Sequence, residues 1–193
     1  MLERERRCMQ KSETIEFSVF HPKQEGPIAA SNRELEEFVR IIVSHSSETD
    51  LRMRFFGVPN LEAIPGRITG SILDKGVQPR DMVIVAFENR ESAGYTDIAR
   101  IAGQADRAEM AMLVRTDLQR KGIGKTMMRA MIQLLRNEGV KHVEARVHPE
   151  NTKMNQALHK WSQAEGLQDV TFSSALQEDE IVHSIDLEPD KSS

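Results

Sequence analysis

The chain has 193 residues, 39% of them hydrophobic and 29% charged, with a formal net charge of −4. That length builds one hydrophobic core and barely two, and the composition is that of an ordinary globular domain. The negative balance argues against a nucleic-acid binder that works by broad phosphate neutralisation, while a local basic patch remains able to hold a small phosphate ligand. Its single cysteine, Cys8, rules out an intrachain disulfide and a cysteine-based zinc cluster. No apolar run is long enough for a membrane span, and the charged start MLERERRCMQKSE has no signal-peptide core. The expected setting is the cytoplasm, with neither membrane nor nucleic acid as partner.

In chain order, residues 1–12 read as a polar leader, 13–188 as one domain and 189–193 as a tail. TIEFSVF (14–20) alternates as a strand does. After a loop with two prolines, Ser31 or Asn32 is placed to cap a helix whose Leu35, Phe38, Val39 and Ile42 recur at helical spacing. MRFFGVPN (53–60) reads as a strand-like or turn-like joint. LEAIPGRITGSILDKG reads as one or two short helices broken at Pro65-Gly66.

DMVIVAFEN (81–89) is an apolar strand ending in turn residues. ESAGYTDIARIAGQADRAEMAMLVR then reads as strand, turn, strand, with cores at 97–103 and 108–114, which leaves Tyr95 in a loop between strands. A helix over about 121–138 stops at Gly139, and a strand covers 141–149. The next helix, 151–166, has Asn151 as candidate N-cap and Gly166 as its stop. VTFSSAL and EIVHSIDL close the fold as a pair of strands. A mixed sheet with helices on both faces buries these patterns best.

The turn Gln119-Arg120-Lys121-Gly122-Ile123-Gly124 follows a strand and opens a helix. Glycine lets backbone N–H groups approach a ligand with no Cβ in the way, and a helix start favours phosphate oxygens. Arg120, Lys121 and Lys125 add positive charge. The three-glycine dinucleotide fingerprint is absent, and Gly124-Lys125-Thr126 matches only the end of a Walker loop, since residue 119 is not glycine.

The stretch from AEMAMLV through QRKGIGKT to HPENTKM resembles the acyl-CoA-binding centre of the Gcn5-related N-acetyltransferase (GNAT) superfamily. Gln119, Gly122 and Gly124 meet its Q/R-x-x-G-x-G/A pattern. The resemblance implies a single α/β domain whose mixed sheet is splayed at the fourth strand, with acetyl-CoA as cosubstrate. Backbone groups of Met112, Leu113 and Val114 would then pair with the pantetheine arm. Those of Gln119, Arg120, Lys121, Gly122, Ile123, Gly124 and Lys125 would hold the pyrophosphate. The family's asparagine near the thiol end matches Asn151 or Asn155. Asn151 is preferred, although Asn155 has the usual spacing to Gly166.

Acylation of an amine needs an uncharged nitrogen, and a lysine with its reference pKa of about 10.4 must lose a proton first. Strand alternation sets Glu109, Ala111 and Leu113 on one face, an odd place for a glutamate unless that face opens into a cleft. AE-x-A-x-x-V ahead of the glycine turn resembles acetyltransferase domains that modify protein lysines, and RFF at 54–56, DMVIVAF and IARIAG add to the likeness. It implies Glu109 as general base, backbone amides around Leu113 as oxyanion donors, and direct attack on acetyl-CoA in a ternary complex. A small-molecule amine acetyltransferase and a non-catalytic acyl-CoA-binding regulatory module are the alternatives.

The superfamily's acidic tyrosine has no match, because Ser162 stands at that count and Tyr95 lies elsewhere. His159 has nearer chemistry, but no acid is assigned. His142, Glu144 and His148 are too far apart along a strand for one metal, so none is expected. The expected assembly is a monomer or homodimer.

Overall fold

The computed structural model describes residues 15–21, 29–55, 60–69, 81–164, 167 and 169–187. The leader, Gly166 and the tail lie outside the described residues. The strands are β1 (Ile15–Phe20), β2 (Met82–Glu88), β3 (Glu91–Ile101), β4 (Gln104–Val114), β5 (His142–Val147), β6 (Thr171–Gln177) and β7 (Glu180–Asp186). The helices are α1 (Ala29–Ser44), α2 (Glu48–Phe55), α3 (Ile64–Thr69), α4 (Ile123–Asn137) and α5 (Thr152–Trp161).

One seven-stranded sheet runs in the order β1-β2-β3-β4-β5-β7-β6. Every neighbouring pair is antiparallel except β4 and β5. That parallel pairing is confined to Arg107↔His142, Ala108↔Val143 and Glu109↔Glu144. Beyond it the two strands diverge, each still paired on its outer side to Val114 and Val147 respectively. The expected splay at the fourth strand is present.

Both faces are covered for the reason the periodicities give. On α1, Leu35, Val39, Ile42 and Val43 are buried at spacings of one helical face, against Val83, Val85, Tyr95 and Leu113 of the sheet. Each such aliphatic side chain contributes about 1.5–3 kcal/mol on full burial. On the opposite face, Met128, Met131, Ile132 and Leu135 of α4 meet Ile84, Ile98, Met110 and Val143. Gly139 ends α4 as its position suggests: its φ is +76°, its N–H reaches Arg136 O, and Val140 N–H reaches Leu135 O at 2.9 Å. This is a Schellman closure.

Four expectations need correction. Helix α1 begins at Ala29, ahead of both Ser31 and Asn32, so neither stands at its N-terminal boundary. Residues 53–55 are neither strand nor turn but the last turn of α2, and 56–59 lie outside the described residues. Helix α2 is nucleated by Ser47, whose Oγ accepts from Asp50 N–H at 3.1 Å. Its acidic first turn (Glu48, Asp50) and basic last turn (Arg52, Arg54) suit the helix dipole. Pro65-Gly66 does not break a helix; it lies in the first turn of α3, where proline's missing N–H has no helical partner to lose. Tyr95 is not in a loop but inside β3, fully buried.

Candidate active site

Where β4 and β5 part, a cleft of about 1060 Å³ opens. It stands at the upper end of the roughly 300–1,000 Å³ common for small-molecule sites. One wall is β4 from Glu109 to Val114, the other is β5 from Ala145 to Val147 with α5 beyond it. The β4 backbone past Glu109 has no strand partner on the β5 side, so its polar groups there, apart from Val114 O, are available to an extended ligand. The cleft brings together Glu109, Met112, Leu113, Val114, Gln119, Arg120, Gly122, Ile123, Gly124, Lys125 and Asn151. Lys121 and Asn155 are not among its lining residues.

The glycine turn closes one end. Gly122 sits in the left-handed region at φ +86°, and Arg120, exceptionally for a residue with a Cβ, does so at +65°. The first N–H of this segment to bond back into α4 is that of Thr126, to Gly122 O at 3.0 Å. The N–H groups of Ile123, Gly124 and Lys125 precede that bond, at the positive end of the helix dipole. Gln119 fastens the turn, its Nε2 donating to Val114 O at 3.2 Å and to Asp50 Oδ2 at 2.9 Å. Gly124 leaves room beside Trp161: a Cβ there would stand 3.2 Å from its indole, a tight contact that the ring would have to ease by a few tenths of an ångström. Lys121 turns away to Glu88, 3.2 Å from its carboxylate.

Glu109 is half-buried on the face that carries α1 to α3, opposite Ala99 of β3 and beside Glu144 of β5. Asp97 is diagonal to it on the same face, since Asp97 pairs with Ala111. Asp97 is buried and accepts two 2.8 Å hydrogen bonds from Arg54 Nη2. The Arg54 guanidinium also stands 4.8 Å over the Phe55 ring. Burial pulls the Arg54 pKa down, but Asp97 first, then Tyr95 and Glu109, raise it above its ordinary value. Arg54 thus supplies a fixed positive charge on the Glu109 wall of the cleft.

The two asparagines do different work. Asn151 caps α5, accepting from Met154 N–H at 3.1 Å, and lines the cleft. Asn155 ties α5 to the last hairpin: Nδ2 donates to the His148 and Pro149 carbonyls, and Oδ1 meets His183 Nε2 at 2.7 Å. Because Nδ2 is the donor, Oδ1 accepts, so His183 carries hydrogen on Nε2 and its Nδ1 accepts from Ser174 Oγ at 2.8 Å. Burial holds the His183 pKa below its ordinary value.

The acid candidates are elsewhere. Ser162 Oγ donates to the His159 carbonyl at 2.7 Å, His159 is exposed, and neither lines the cleft. His142 is engaged by Asp186. Among the described residues, no group of three or more His, Cys, Asp or Glu side chains is placed to hold a metal ion. No helix among them is long and apolar enough to cross a membrane.

Asp50 and Lys153 face the cleft although no pattern singled them out. The Asp50 carboxylate gathers Thr116 Oγ1 at 2.7 Å, Gln119 Nε2, and Lys153 Nζ at 3.0 Å. Burial pushes its carboxyl up, but the hydrogen bonds of Thr116, Lys153, Ser47 and Gln119 outweigh that and hold it below the ordinary value. The only trace in the sequence is Ser47, three residues before Asp50, an N-cap signal that marks the helix and not the site.

Comparison with known proteins gives the same fold. Residues 49–162 match the model of the Acetyltransferase (GNAT) family. Among solved structures, the GNAT domain of S. lividans PAT superposes with a TM-score of 0.64 at 17% identity, over 89% of this chain and 90% of that one. A Salmonella typhimurium protein solved with its cofactor acetyl-CoA gives 0.53 at 14% identity, over 92% and 96%. The aminoglycoside acetyltransferase AAC(6')-Ib in complex with coenzyme A gives 0.58 at 15%, over 89% and 94%. No curated protein sequence matches.

Proposed function

The chain belongs to the GNAT acetyltransferase family and is an acetyl-CoA-dependent N-acetyltransferase, and we propose that its acceptor is the ε-amine of a protein lysine. The observation that carries the reading is one cleft holding both halves of the chemistry. Free β4 backbone and the glycine turn lie along it, and the Glu109 carboxylate stands on its wall.

The acyl-CoA arm extends along Met112 to Val114, and its pyrophosphate lies over the N–H groups that follow Gln119. Asn151, not Asn155, is the asparagine that meets it, because the side chain of Asn155 is committed to His183 and two carbonyls. Lys121 contributes backbone and charge at the outer edge of the turn, given its engagement with Glu88.

Glu109 takes the proton from the acceptor ammonium, directly or through water. The freed nitrogen attacks the thioester carbonyl, whose developing oxyanion is met by backbone N–H near Leu113. The C–S bond then breaks, the nitrogen gives up its second proton to water and the thiolate takes one from water, leaving the neutral amide and the free thiol; thiolates are good leaving groups and no cleft side chain is needed as acid. Holding both reactants in one cleft supplies much of the acceleration. The AEMAMLV sequence ahead of the glycine turn favours a protein acceptor.

The test incubates carbonyl-labelled acetyl-CoA and the protein with a desalted soluble extract. Label in polypeptide lysines, resistant to thiol cleavage and absent with Glu109→Gln, is expected. Label in small amines alone would replace the acceptor with a small molecule. Binding without consumption of acetyl-CoA would refute enzymatic transfer.

A further inference from the structure

Asp50 is held from three directions. Thr116 and Gln119, both in the segment after β4, donate to Oδ2 at 2.7 and 2.9 Å, while Lys153 Nζ reaches Oδ1 at 3.0 Å from α5 on the other side of the cleft. The two charges are unequally fixed. The Asp50 side chain is 10% exposed and that of Lys153 67%. Asp50 is therefore a preorganised carboxylate, whereas Lys153 is a long, mostly solvated arm whose ion pair contributes little net stability and is cheaply exchanged. Gln119 joins Asp50 to the Val114 carbonyl, which places this carboxylate two hydrogen bonds from the strand that holds the thioester arm. Lys153 stands two residues beyond Asn151.

We propose that Asp50 is the docking group for the acceptor's ammonium, and that Lys153 fills this position in the resting protein as a built-in stand-in for the acceptor lysine. The inference rests on the lysine reading of the preceding subsection. An arriving ε-ammonium displaces Lys153 Nζ and takes over its charge-assisted hydrogen bond to Oδ1. Lys153, with most of its length in water, loses little by the exchange. Asp50 thereby selects cationic amines in the cleft, and Glu109, at the other end of the β4 wall, takes the proton once the amine moves on to the thioester. Neutral amines and hydroxyl acceptors gain nothing from Asp50.

Steady-state kinetics on the full chain test this, with Nα-acetyl-lysine methylamide as acceptor probe and coenzyme A release as readout. Lys153→Met removes the internal competitor and is expected to lower KM for the probe about threefold or more, while Asp50→Asn raises it about tenfold. Lys153→Met is expected to leave KM for acetyl-CoA within about twofold, because an exposed charge acts on the partner it faces. Unchanged probe KM in Lys153→Met refutes the stand-in role. Asp50→Asn raising KM for acetyl-CoA alone also overturns the proposal, since Asp50 would then serve only to fasten the glycine turn. Lys153 is exposed, so its variant reads out even if Asp50→Asn fails to fold. Wild-type protein that acetylates no lysine probe refutes the lysine reading and this inference with it; turnover with both variants unchanged refutes this inference alone.

Discussion

Replacing Arg54 by methionine removes the guanidinium that gives buried Asp97 two 2.8 Å hydrogen bonds. The geometry sets the size of the loss. Asp97 is 0% exposed at its side chain and Arg54 12%, so neither can turn to water when the other is gone. Breaking such a pair from one side costs about 3–5 kcal/mol, because a buried charge loses its compensation. The lower figure, about 3 kcal/mol, applies here, since Arg54 keeps some exposure and its loss removes a desolvation penalty along with the attraction. Urea unfolding followed by circular dichroism measures this directly. With a slope of about 2 kcal/mol per molar, the midpoint should fall by roughly 1.5 M at an unchanged slope. A fall of less than about 0.5 M would show that the pair is not desolvated in solution and that Arg54 is not a fixed charge beside Glu109. Asp97→Asn combined with Arg54→Met should lose less than the sum of the single changes, because the two groups interact directly.

Other consequences follow from single residues. Gly122→Ala places a Cβ at φ +86° and should cost about 1–2 kcal/mol of stability, with KM for acetyl-CoA rising more than kcat falls; Arg120→Gly, at φ +65°, should do no harm to stability. Gly124→Ala brings a methyl to 3.2 Å from Trp161 and should weaken acetyl-CoA binding, with Trp161→Phe restoring part of it; unchanged binding by calorimetry would refute the packing argument. Trp161, the sole tryptophan, should change its fluorescence on acetyl-CoA addition. The folded His183 pKa lies below the unfolded value of about 6.5, so the unfolded chain binds more protons below that pH. Stability should therefore be level above it and fall as pH drops below it, until the folded pKa is passed. His183→Gln should flatten that slope in urea titrations between pH 7 and 5, and an unaltered slope would assign it to other groups.

The helices and strands that build the cleft were legible where a local rule acts alone. Leu35, Val39 and Ile42 mark a helix face, Gly139 marks the end of α4, and Gly122 sits at positive φ in the Gln119–Gly124 turn. Helix α2 was not legible because it buries only Leu51 among its described residues, so it carries little periodic signal, and its Arg54-Phe55 end has the look of a strand. Asp50 was hidden for a different reason. Its partners are 66, 69 and 103 residues away, and contacts made by tertiary folding leave no mark in a local pattern. The same holds for Asn155, whose spacing competes with that of Asn151 until His183 is seen to occupy its side chain.

In the proposed mechanism Glu109 removes the acceptor's proton in a cleft that binds acetyl-CoA without it. The most direct measurement is single-turnover transfer from labelled acetyl-CoA to a lysine acceptor by wild type and Glu109→Gln, with acetyl-CoA affinity measured on the same samples. The expected rate for Glu109→Gln is lower by about 10²–10⁴-fold at neutral pH, with acetyl-CoA affinity within about twofold, since a residue acting only in the transition state leaves ground-state binding alone. Equal rates in the two proteins would contradict it.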